Sequence, residues 1–309
     1  MIEIREVCKS FDRVRALDNF NLDARAGEIV GLVGPNGAGK TTLIKVLASL
    51  LPADAGHARI GGIAVTRHNP AVRRTVGYLA DVAGIYQDMR VREFLEFFAD
   101  AFHLRVPERD RAIESALRDS GLAKRQDAFV EQLSLGLKQR LLLAKTMLHS
   151  PRVLLLDEPA AGLDPIARTE LRRQLKDWMS SDRAALVSSH ILSDLEDICT
   201  KVVLIAGGRN VGTTFLDKSA SSEEGERVIV EVEVISDPEA AAGVVALYKG
   251  AHVRETDGTR LLVEVENGTD GVSDLLSHLV RSQVKIFRYS PQAKKLDKVY
   301  RDTFGGQIA

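Results

Sequence analysis

The chain has 309 residues, of which 42 are basic and 43 acidic, so its formal net charge is −1. This length suggests about two domains, each able to bury a core of its own, and the balanced charge gives no support to nucleic-acid binding, which usually shows a basic excess. The two cysteines are isolated, which predicts neither a disulfide framework nor a cysteine metal site, and no run reaches the ~20 apolar residues of a membrane-spanning helix, which predicts a soluble, intracellular chain.

Strand and helix patterns alternate from the amino terminus to about residue 212, which predicts an α/β domain with a mostly parallel sheet. Apolar runs indicate strands at residues 2–7, 28–33, 76–79, 153–156, 185–188 and 202–205. Between residues 90 and 149 the pattern is nearly pure helix, and it begins with an apolar face of Phe94, Leu95, Phe97 and Phe98. We therefore expect a sheet domain at residues 1–218 with an inserted helical subdomain at about 83–150.

The first chemical motif in chain order is a glycine-rich segment between a predicted strand and a predicted helix. Residues 34–41 match the pattern G-x-x-x-x-G-K-[ST], whose glycines let successive N–H groups point at phosphates. Lys40 adds a positive charge and Thr41 can bind Mg²⁺. A glycine-rich turn before an ordinary helix is the alternative. The predicted phosphate-binding residues are Gly34, Pro35, Asn36, Gly37, Ala38, Gly39, Lys40, Thr41 and Thr42.

A second motif is the strand at residues 153–156, which ends in two carboxylates, Asp157 and Glu158. By itself such a segment is usually a solvated strand end. In phosphate-loop enzymes, however, an Asp at the end of a neighbouring strand helps to hold the metal, and an adjacent acid can polarise the attacking water. Together with residues 34–41, the pair predicts a Mg²⁺ ligand in Asp157 and a general base in Glu158.

With its motifs in this order, the chain resembles the ATP-binding subunit of an ABC transporter over about residues 1–212. Residues 131–140, EQLSLGLKQR, resemble the signature segment of that family, and residues 161–164, AGLD, resemble its D-loop. Residues 188–190, SSH, end in a histidine that resembles the family's switch histidine. Phe11 occupies the place of the aromatic residue on which adenine stacks.

The resemblance implies that two ATP molecules lie between two cassettes, each bound by the phosphate loop of one and the signature segment of the other. Ser134 and Gly136 would then hold the partner's γ-phosphate, and the D-loop Asp164 would lie at the same nucleotide. His190 would be catalytic. Plainer alternatives are a helix N-cap for Ser134, a structural role for His190 and a core position for Phe11.

Three residues depart from the family pattern. Leu135 stands where the family prefers Gly, and Leu137 stands where it often has Gln. Asp81, which follows the strand at 76–79, stands where the family usually has Gln. If this alignment holds, the carboxylate of Asp81 lies near the Mg²⁺ and can bind it; an ordinary solvated loop acid is the alternative.

The remainder of the chain predicts a second, small domain. Residues 219–225 form a polar linker rich in Ser and Glu. Beyond it, residues 226–309 show the order β-α-β-β-α-β, which predicts an α+β fold of the ferredoxin-like type. A last helix is expected at residues 294–303.

Taken with the resemblance, the sequence predicts a P-loop ATPase subunit that binds ATP and Mg²⁺ and forms a homodimer on ATP. It would drive a separate transmembrane permease and would reach the inner face of the membrane only through that permease. A looser resemblance of its carboxyl-terminal part implies that the transporter is an exporter. One alternative is a soluble ABC ATPase of translation or DNA repair, although those usually carry two cassettes or a coiled coil. Another is a nucleotide-dependent regulator with low turnover, suggested by Asp81, Leu135 and Leu137.

Overall fold

The computed structural model describes residues 1–81, 84–191, 195, 198–216, 228–266 and 268–291. The chain divides into two units, Met1–Leu216 and Asp217–Ala309, which we call the first and the second unit. Each unit has a hydrophobic core of its own. No helix among the described residues is long and apolar enough to cross a membrane.

The first unit contains ten strands and six α-helices among its described residues. The strands are β1 (Ile2–Phe11), β2 (Val14–Ala24), β3 (Ile29–Val33), β4 (Ala55–Ile60), β5 (Ile63–Ala64), β6 (Val76–Leu79), β7 (Val153–Leu156), β8 (Ala184–Ser189), β9 (Lys201–Ala206) and β10 (Arg209–Phe215). The helices are α1 (Lys40–Leu47), α2 (Pro70–Thr75), α3 (Val91–Ala101), α4 (Glu108–Asp119), α5 (Leu135–Met147) and α6 (Pro165–Trp178).

A six-stranded sheet positions the site. Its order is β10-β9-β3-β8-β7-β6, and all its strand pairs are parallel except β9 with β10. Strands β3, β7 and β8 are buried along their whole length, as expected of parallel strands that are covered on both faces. Because the carboxyl ends of parallel strands meet at one edge, the segments that follow β3, β7 and β8 are brought together there.

The amino-terminal strand does not join this sheet, so the prediction that residues 2–7 belong to it is wrong. Strand β1 lies in a second sheet of order β2-β1-β4-β5, in which all pairs are antiparallel. The reason is a tight turn after β1, where Asp12 has a φ of 49° and returns the chain directly as β2. Alternation shows that residues 2–7 form a strand, but it does not show which strand they pair with.

Helices α3, α4 and α5 lie between β6 and β7 in the chain and pack on one another. On α3, Phe94 and Leu95 are fully buried, whereas Phe97 is 43% exposed. The predicted apolar face is therefore only partly buried. Phe97 instead packs edge-on against Tyr86, whose ring centroid lies 5.4 Å away.

The second unit contains, in its described part, β11 (Val228–Val234), α7 (Pro238–Leu247), β12 (Ala251–Asp257), β13 (Arg260–Val265), α8 (Gly268–Arg281) and β14 (Ile286–Pro291). Its sheet has the order β12-β13-β11-β14, and every pair is antiparallel. Val230, Val232 and Val234 alternate into a core with residues of α7 and α8. The predicted linker at 219–225 and the predicted helix at 294–303 lie outside the described residues.

Candidate functional site

The glycine-rich segment forms the loop between β3 and α1, as the sequence predicts. Gly37 and Gly39 have φ angles of 79° and 110°, in the left-handed region that glycine adopts without strain. A Cβ atom on Gly34 would lie 2.2 Å from the carbonyl oxygen of Ile205, and one on Gly39 would lie 2.4 Å from that of Ala16. The loop therefore needs glycine at these positions for its backbone path and for its close contact with neighbouring strands.

Lys40 is the first residue of helix α1, and its side chain is buried inside the loop. Its ammonium donates hydrogen bonds to the carbonyl oxygens of Gly34, at 2.7 Å, and Pro35, at 3.2 Å. The same nitrogen lies 3.5 Å from Oε1 of Glu158. The loop thus holds a positive charge that faces the predicted general base.

Asp157 follows β7 and is 1% exposed. Its Oδ1 accepts a hydrogen bond of 2.7 Å from the hydroxyl of Ser188. Its Oδ2 is buried and accepts no hydrogen bond from any residue that the structure describes. A buried carboxylate oxygen without a partner is costly in a folded protein, and it is the kind of ligand that Mg²⁺ prefers.

The oxygen atoms at this edge of the sheet fit a Mg²⁺ ion whose remaining ligands come from a nucleotide. Thr41 lies in the first turn of α1 and is only partly buried, so its hydroxyl can serve with Asp157. Within the described ranges, no group of three or more His, Cys, Asp or Glu side chains could hold a metal ion by itself. Such a sparse set is typical of Mg²⁺ sites, in which substrate phosphates and water supply the other ligands.

Glu158 and His190 are in direct contact. Oε2 of Glu158 lies 2.8 Å from Nδ1 of His190 and also accepts the backbone N–H of His190 at 3.3 Å. Glu158 has a φ of 49°, in the left-handed region, and its own N–H donates to the hydroxyl of Ser188 at 2.9 Å. The structure therefore brings Lys40, Asp157, Glu158 and His190 together.

Ser188 is a site contact that the sequence reasoning missed. The strand register could have indicated it, because Leu156 of β7 pairs with Val187 of β8. The next residues in the chain are Asp157, directly after β7, and Ser188 of β8, and their side chains form a hydrogen bond. That inference requires knowing that β7 and β8 are neighbours, which the sequence does not state.

Asp81 is exposed and makes no hydrogen bond or ion pair with any described residue. The structure does not bring it into contact with Asp157 or Glu158. It does lie near enough to Tyr78 to act on that side chain: burial of the phenol, with the charges of Asp157 and Asp81, raises the pKa of Tyr78 to about 12.

The signature and D-loop residues lie at two helix starts. Ser134 is the N-cap of α5, where its hydroxyl accepts the N–H of Leu137 at 3.4 Å, so the N-cap alternative is observed within this chain. Asp164 is the N-cap of α6 and accepts the N–H of Ala167 at 2.8 Å. A Cβ atom on Gly136 would lie 2.8 Å from Cβ of Ala167, so a glycine lets α5 approach α6.

Phe11, at the end of β1, is 44% exposed, so the alternative of a core position is wrong. The ammonium of Lys9 lies 5.6 Å from the centroid of its ring. The exposed ring leaves a surface on which a planar group can stack.

Comparisons with known proteins agree with these motifs. The sequence profile of the family described as ABC transporter matches residues 17–161. The uncharacterized ABC transporter ATP-binding protein YhcH of Bacillus subtilis is 30% identical over 307 residues, which are 99% of this chain and 96% of that protein. The Nod factor export ATP-binding protein I of Burkholderia thailandensis is 33% identical, over 76% of this chain and 74% of that protein.

A solved structure described as the ATP-binding subunit of an ABC transporter has a similar fold. It is 28% identical, and it superposes with a TM-score of 0.64 over 70% of this chain and 90% of that chain. The predicted α/β P-loop fold is therefore confirmed for the part that carries residues 34–42, Asp157 and Glu158.

Proposed function

The chain belongs to the ATP-binding subunits of ABC transporters, and on this basis we propose how its site works and which kind of transporter it serves. It is an ATPase, and it acts as one subunit of a transporter complex, which implies a permease partner. The observation that supports the mechanism best is the contact of Glu158 with both Lys40 and His190, beside an oxygen of Asp157 that has no partner among the described residues.

In this mechanism the residues of the loop, from Gly34 to Thr42, surround the phosphates, and all of them except Pro35 can donate a backbone N–H at the start of α1. Lys40 leaves the carbonyl oxygens of Gly34 and Pro35 and donates to the phosphate oxygens instead. Asp157 and Thr41 would hold Mg²⁺, with Asp81 as a further ligand. When bound, the ion neutralises negative charge on the phosphates.

Glu158 accepts a proton from the attacking water. Once Lys40 has turned to the phosphates, the carboxylate is no longer paired with an ammonium and is free to polarise the water. His190 holds Oε2 of Glu158 through its ring and its N–H, which orients the carboxylate. A base fixed in this way contributes typically about 10²–10⁴-fold to the rate.

A second copy of the chain completes each nucleotide site in this proposal. Ser134, Gly136 and Asp164 contact the nucleotide bound to the partner copy, and Phe11 stacks on adenine. Support comes from exposure: Leu135, between Ser134 and Gly136, is 57% exposed, and Ile166, two residues after Asp164, is 79% exposed. Large apolar side chains on a surface are suited to a protein interface.

The cargo class and the accessory regions are also proposals. The likeness to a Nod factor export protein supports an exporter, whose permease would hold this chain at the cytoplasmic face of the membrane.

Helices α3 to α5, between β6 and β7, support a helical subdomain at about 83–150 within a cassette of residues 1–218. The sheet order β12-β13-β11-β14 with two helices supports a ferredoxin-like accessory domain at 226–309.

The test of this function is the Glu158→Gln variant, assayed for phosphate release and for ATP-dependent dimerisation by light scattering. We expect release to fall by about 10²–10⁴-fold while ATP stays bound and the dimer persists. Glu170→Gln, which alters a carboxylate on α6, is the matched control. Parental turnover in Glu158→Gln would disprove the role of Glu158.

Phosphate release and purification from membranes separate the alternatives. Negligible phosphate release from the parent protein at saturating ATP would favour a regulator with low turnover. Purification of the chain from membranes should also yield a permease. Recovery with ribosomes or DNA, and with no membrane protein, would favour a soluble ABC ATPase.

A further inference from the structure

Ser188 makes two hydrogen bonds to two consecutive residues of the site. It is fully buried near the end of β8. Its hydroxyl donates to Oδ1 of Asp157 at 2.7 Å and accepts the N–H of Glu158 at 2.9 Å. One small side chain therefore holds the side chain of the proposed metal ligand and the backbone of the proposed general base.

The direction of both bonds is fixed by chemistry. An ionised carboxylate only accepts and a backbone N–H only donates, so the single proton of the hydroxyl must point at Asp157. Oδ1 of Asp157 then already accepts one bond, whereas Oδ2 stays buried without a partner among the described residues and keeps both lone pairs. Ser188 thus fixes the orientation of the carboxylate and leaves Oδ2 as the oxygen more available to a cation.

The bond to Glu158 acts on a strained backbone. A φ of 49° is unfavourable for a residue with a side chain, and such a conformation persists only where surrounding contacts enforce it. For Glu158 these contacts are the hydroxyl of Ser188 on its N–H, the N–H of Ala161 on its carbonyl oxygen at 3.1 Å, and Lys40 and His190 on its carboxylate. The bond from Ser188 is the one that holds the N–H, so without it the backbone that aims the carboxylate is less well fixed.

We propose that Ser188 is a positioning residue that orients Asp157 toward Mg²⁺ and fixes the backbone of Glu158 for its work on the attacking water. This inference rests on the function proposed above. Ser188 itself contacts neither the nucleotide nor the metal in this account; it acts through the two acids.

The neighbouring Ser189 is a matched control. It is also buried, at 4% exposure, but its hydroxyl bonds with the N–H and the carbonyl oxygen of Ile191, each at 3.0 Å. No hydrogen bond joins it to Asp157 or Glu158. Replacing Ser189 therefore removes a buried hydroxyl from the same strand end and leaves both acids in place.

The first measurement is Mg²⁺-dependent binding of a fluorescent ATP analogue in the Glu158→Gln background, in which turnover does not interfere. We expect Ser188→Ala to raise the Mg²⁺ concentration for half-maximal binding by about ten-fold, since loss of a group that orients a metal ligand typically costs about 10–100-fold in affinity. Ser189→Ala should leave it unchanged. Ser188→Thr, which keeps the hydroxyl, should recover most of the loss.

The second measurement is steady-state ATPase activity at saturating Mg²⁺ with Glu158 intact. Ser188→Ala should lower kcat by about ten-fold with little change in KM for ATP, because Glu158 is less well positioned while the phosphate loop is untouched. A kcat of Ser188→Ala equal to that of the parent at saturating Mg²⁺ would overturn the part of the proposal that concerns Glu158.

The outcomes are distinguishable from failure of the proposed function. Nucleotide binding that ignores Mg²⁺ in the parent chain would mean that the metal site itself is wrong. Binding that needs Mg²⁺ equally in the parent, Ser188→Ala and Ser189→Ala would overturn the role of Ser188 alone. If Ser188→Ala does not fold, Ser188→Cys, which has a similar size and a weak donor, takes its place, and parental values in that variant contradict the proposal.

Discussion

Lys40 and Glu158 form an ion pair across the site, with 3.5 Å between the ammonium nitrogen and Oε1 and with both side chains largely buried. Each group is thereby partly neutralised by the other. The phosphates of a nucleotide would compete with Glu158 for the ammonium of Lys40. Binding of ATP and the release of Glu158, the proposed general base, from its ion pair are then one event, so ATP frees the carboxylate that we propose to act on the attacking water.

We expect Lys40→Ala to lower the affinity for ATP by about 10–100-fold, because a hydrogen bond to a charged group is worth ~1.5–3 kcal/mol. Equilibrium binding of a fluorescent ATP analogue measures this. Lys45→Ala, which changes a lysine on the same helix, should bind like the parent. Equal affinity of the two variants would contradict the role given to Lys40.

A metal role for Asp81 predicts that Asp81→Ala raises the Mg²⁺ concentration needed for half-maximal ATPase activity. Asp81→Gln should recover much of the activity, because a side-chain carbonyl oxygen can bind the same ion. Mg²⁺ titrations of the two variants and the parent decide the point. An unchanged Mg²⁺ requirement in Asp81→Ala would exclude the metal role and leave contact with the permease as the use of this loop.

The close approach of α5 and α6 predicts that Gly136→Ala is destabilising. The added Cβ would lie 2.8 Å from Cβ of Ala167, and overpacking of this kind costs about 1–3 kcal/mol, partly offset by the ~1 kcal/mol that Ala gains over Gly in a helix. Denaturant unfolding measures the loss. Ala167→Gly in the same chain should relieve the contact, and additive effects of the two changes would show that it is not strained.

The division into two units predicts that a chain truncated after Leu216 folds and binds ATP. Truncation there preserves the pairing of β10 with β9 and all the site residues. Circular dichroism and nucleotide affinity of the truncated chain, each compared with the full chain, test this prediction. Insoluble protein, or folded protein that does not bind nucleotide, would show that the second unit completes the cassette.

His149 predicts a loss of stability in acid. Its ring stacks on Phe102 with 4.1 Å between centroids, and burial, with the nearby charge of Lys145, lowers the pKa of His149 from 6.5 despite its hydrogen bond to Val76. The unfolded chain therefore binds the proton more tightly, so this contribution is present above a pH of about 6.5 and is lost as the pH falls toward the folded pKa.

Denaturant unfolding at a series of pH values measures this effect. His149→Gln, which keeps a donor for the carbonyl oxygen of Val76 and does not titrate, should lose less free energy of unfolding than the parent between neutral pH and mild acid. The same dependence on pH in both proteins would show that His149 does not contribute to it.

Some strands could be predicted to the residue, and others could not be seen at all. Strands β6 and β7 are short and mostly apolar, and their bounds are those predicted. Strand β2 was missed because its exposed positions include Asn19, Asn21 and Asp23. Even a buried position of β2 is acidic: Asp18 pairs with Arg209, far away in the chain.

The residues of the site also include some that could be predicted from the sequence and some that could not. The loop at 34–41 could be predicted because its chemistry is contiguous in sequence, and Asp157 and Glu158 because they follow a strand. The bonds of Ser188 depend on the register that pairs β7 with β8. The need for glycine at position 136 depends on Ala167 of another helix. Contacts of this kind are set by tertiary packing, which no local pattern reports.

Strand β8 carries Ser188 and leads directly to His190, and it is hydrogen-bonded to β3 on one side and β7 on the other. All six of its residues are buried. Its backbone amides can therefore exchange with heavy water only when the sheet opens, at a free energy close to that of unfolding the whole unit. The alignment of loop, acids and histidine should thus not fluctuate locally, and it lasts for as long as the unit stays folded.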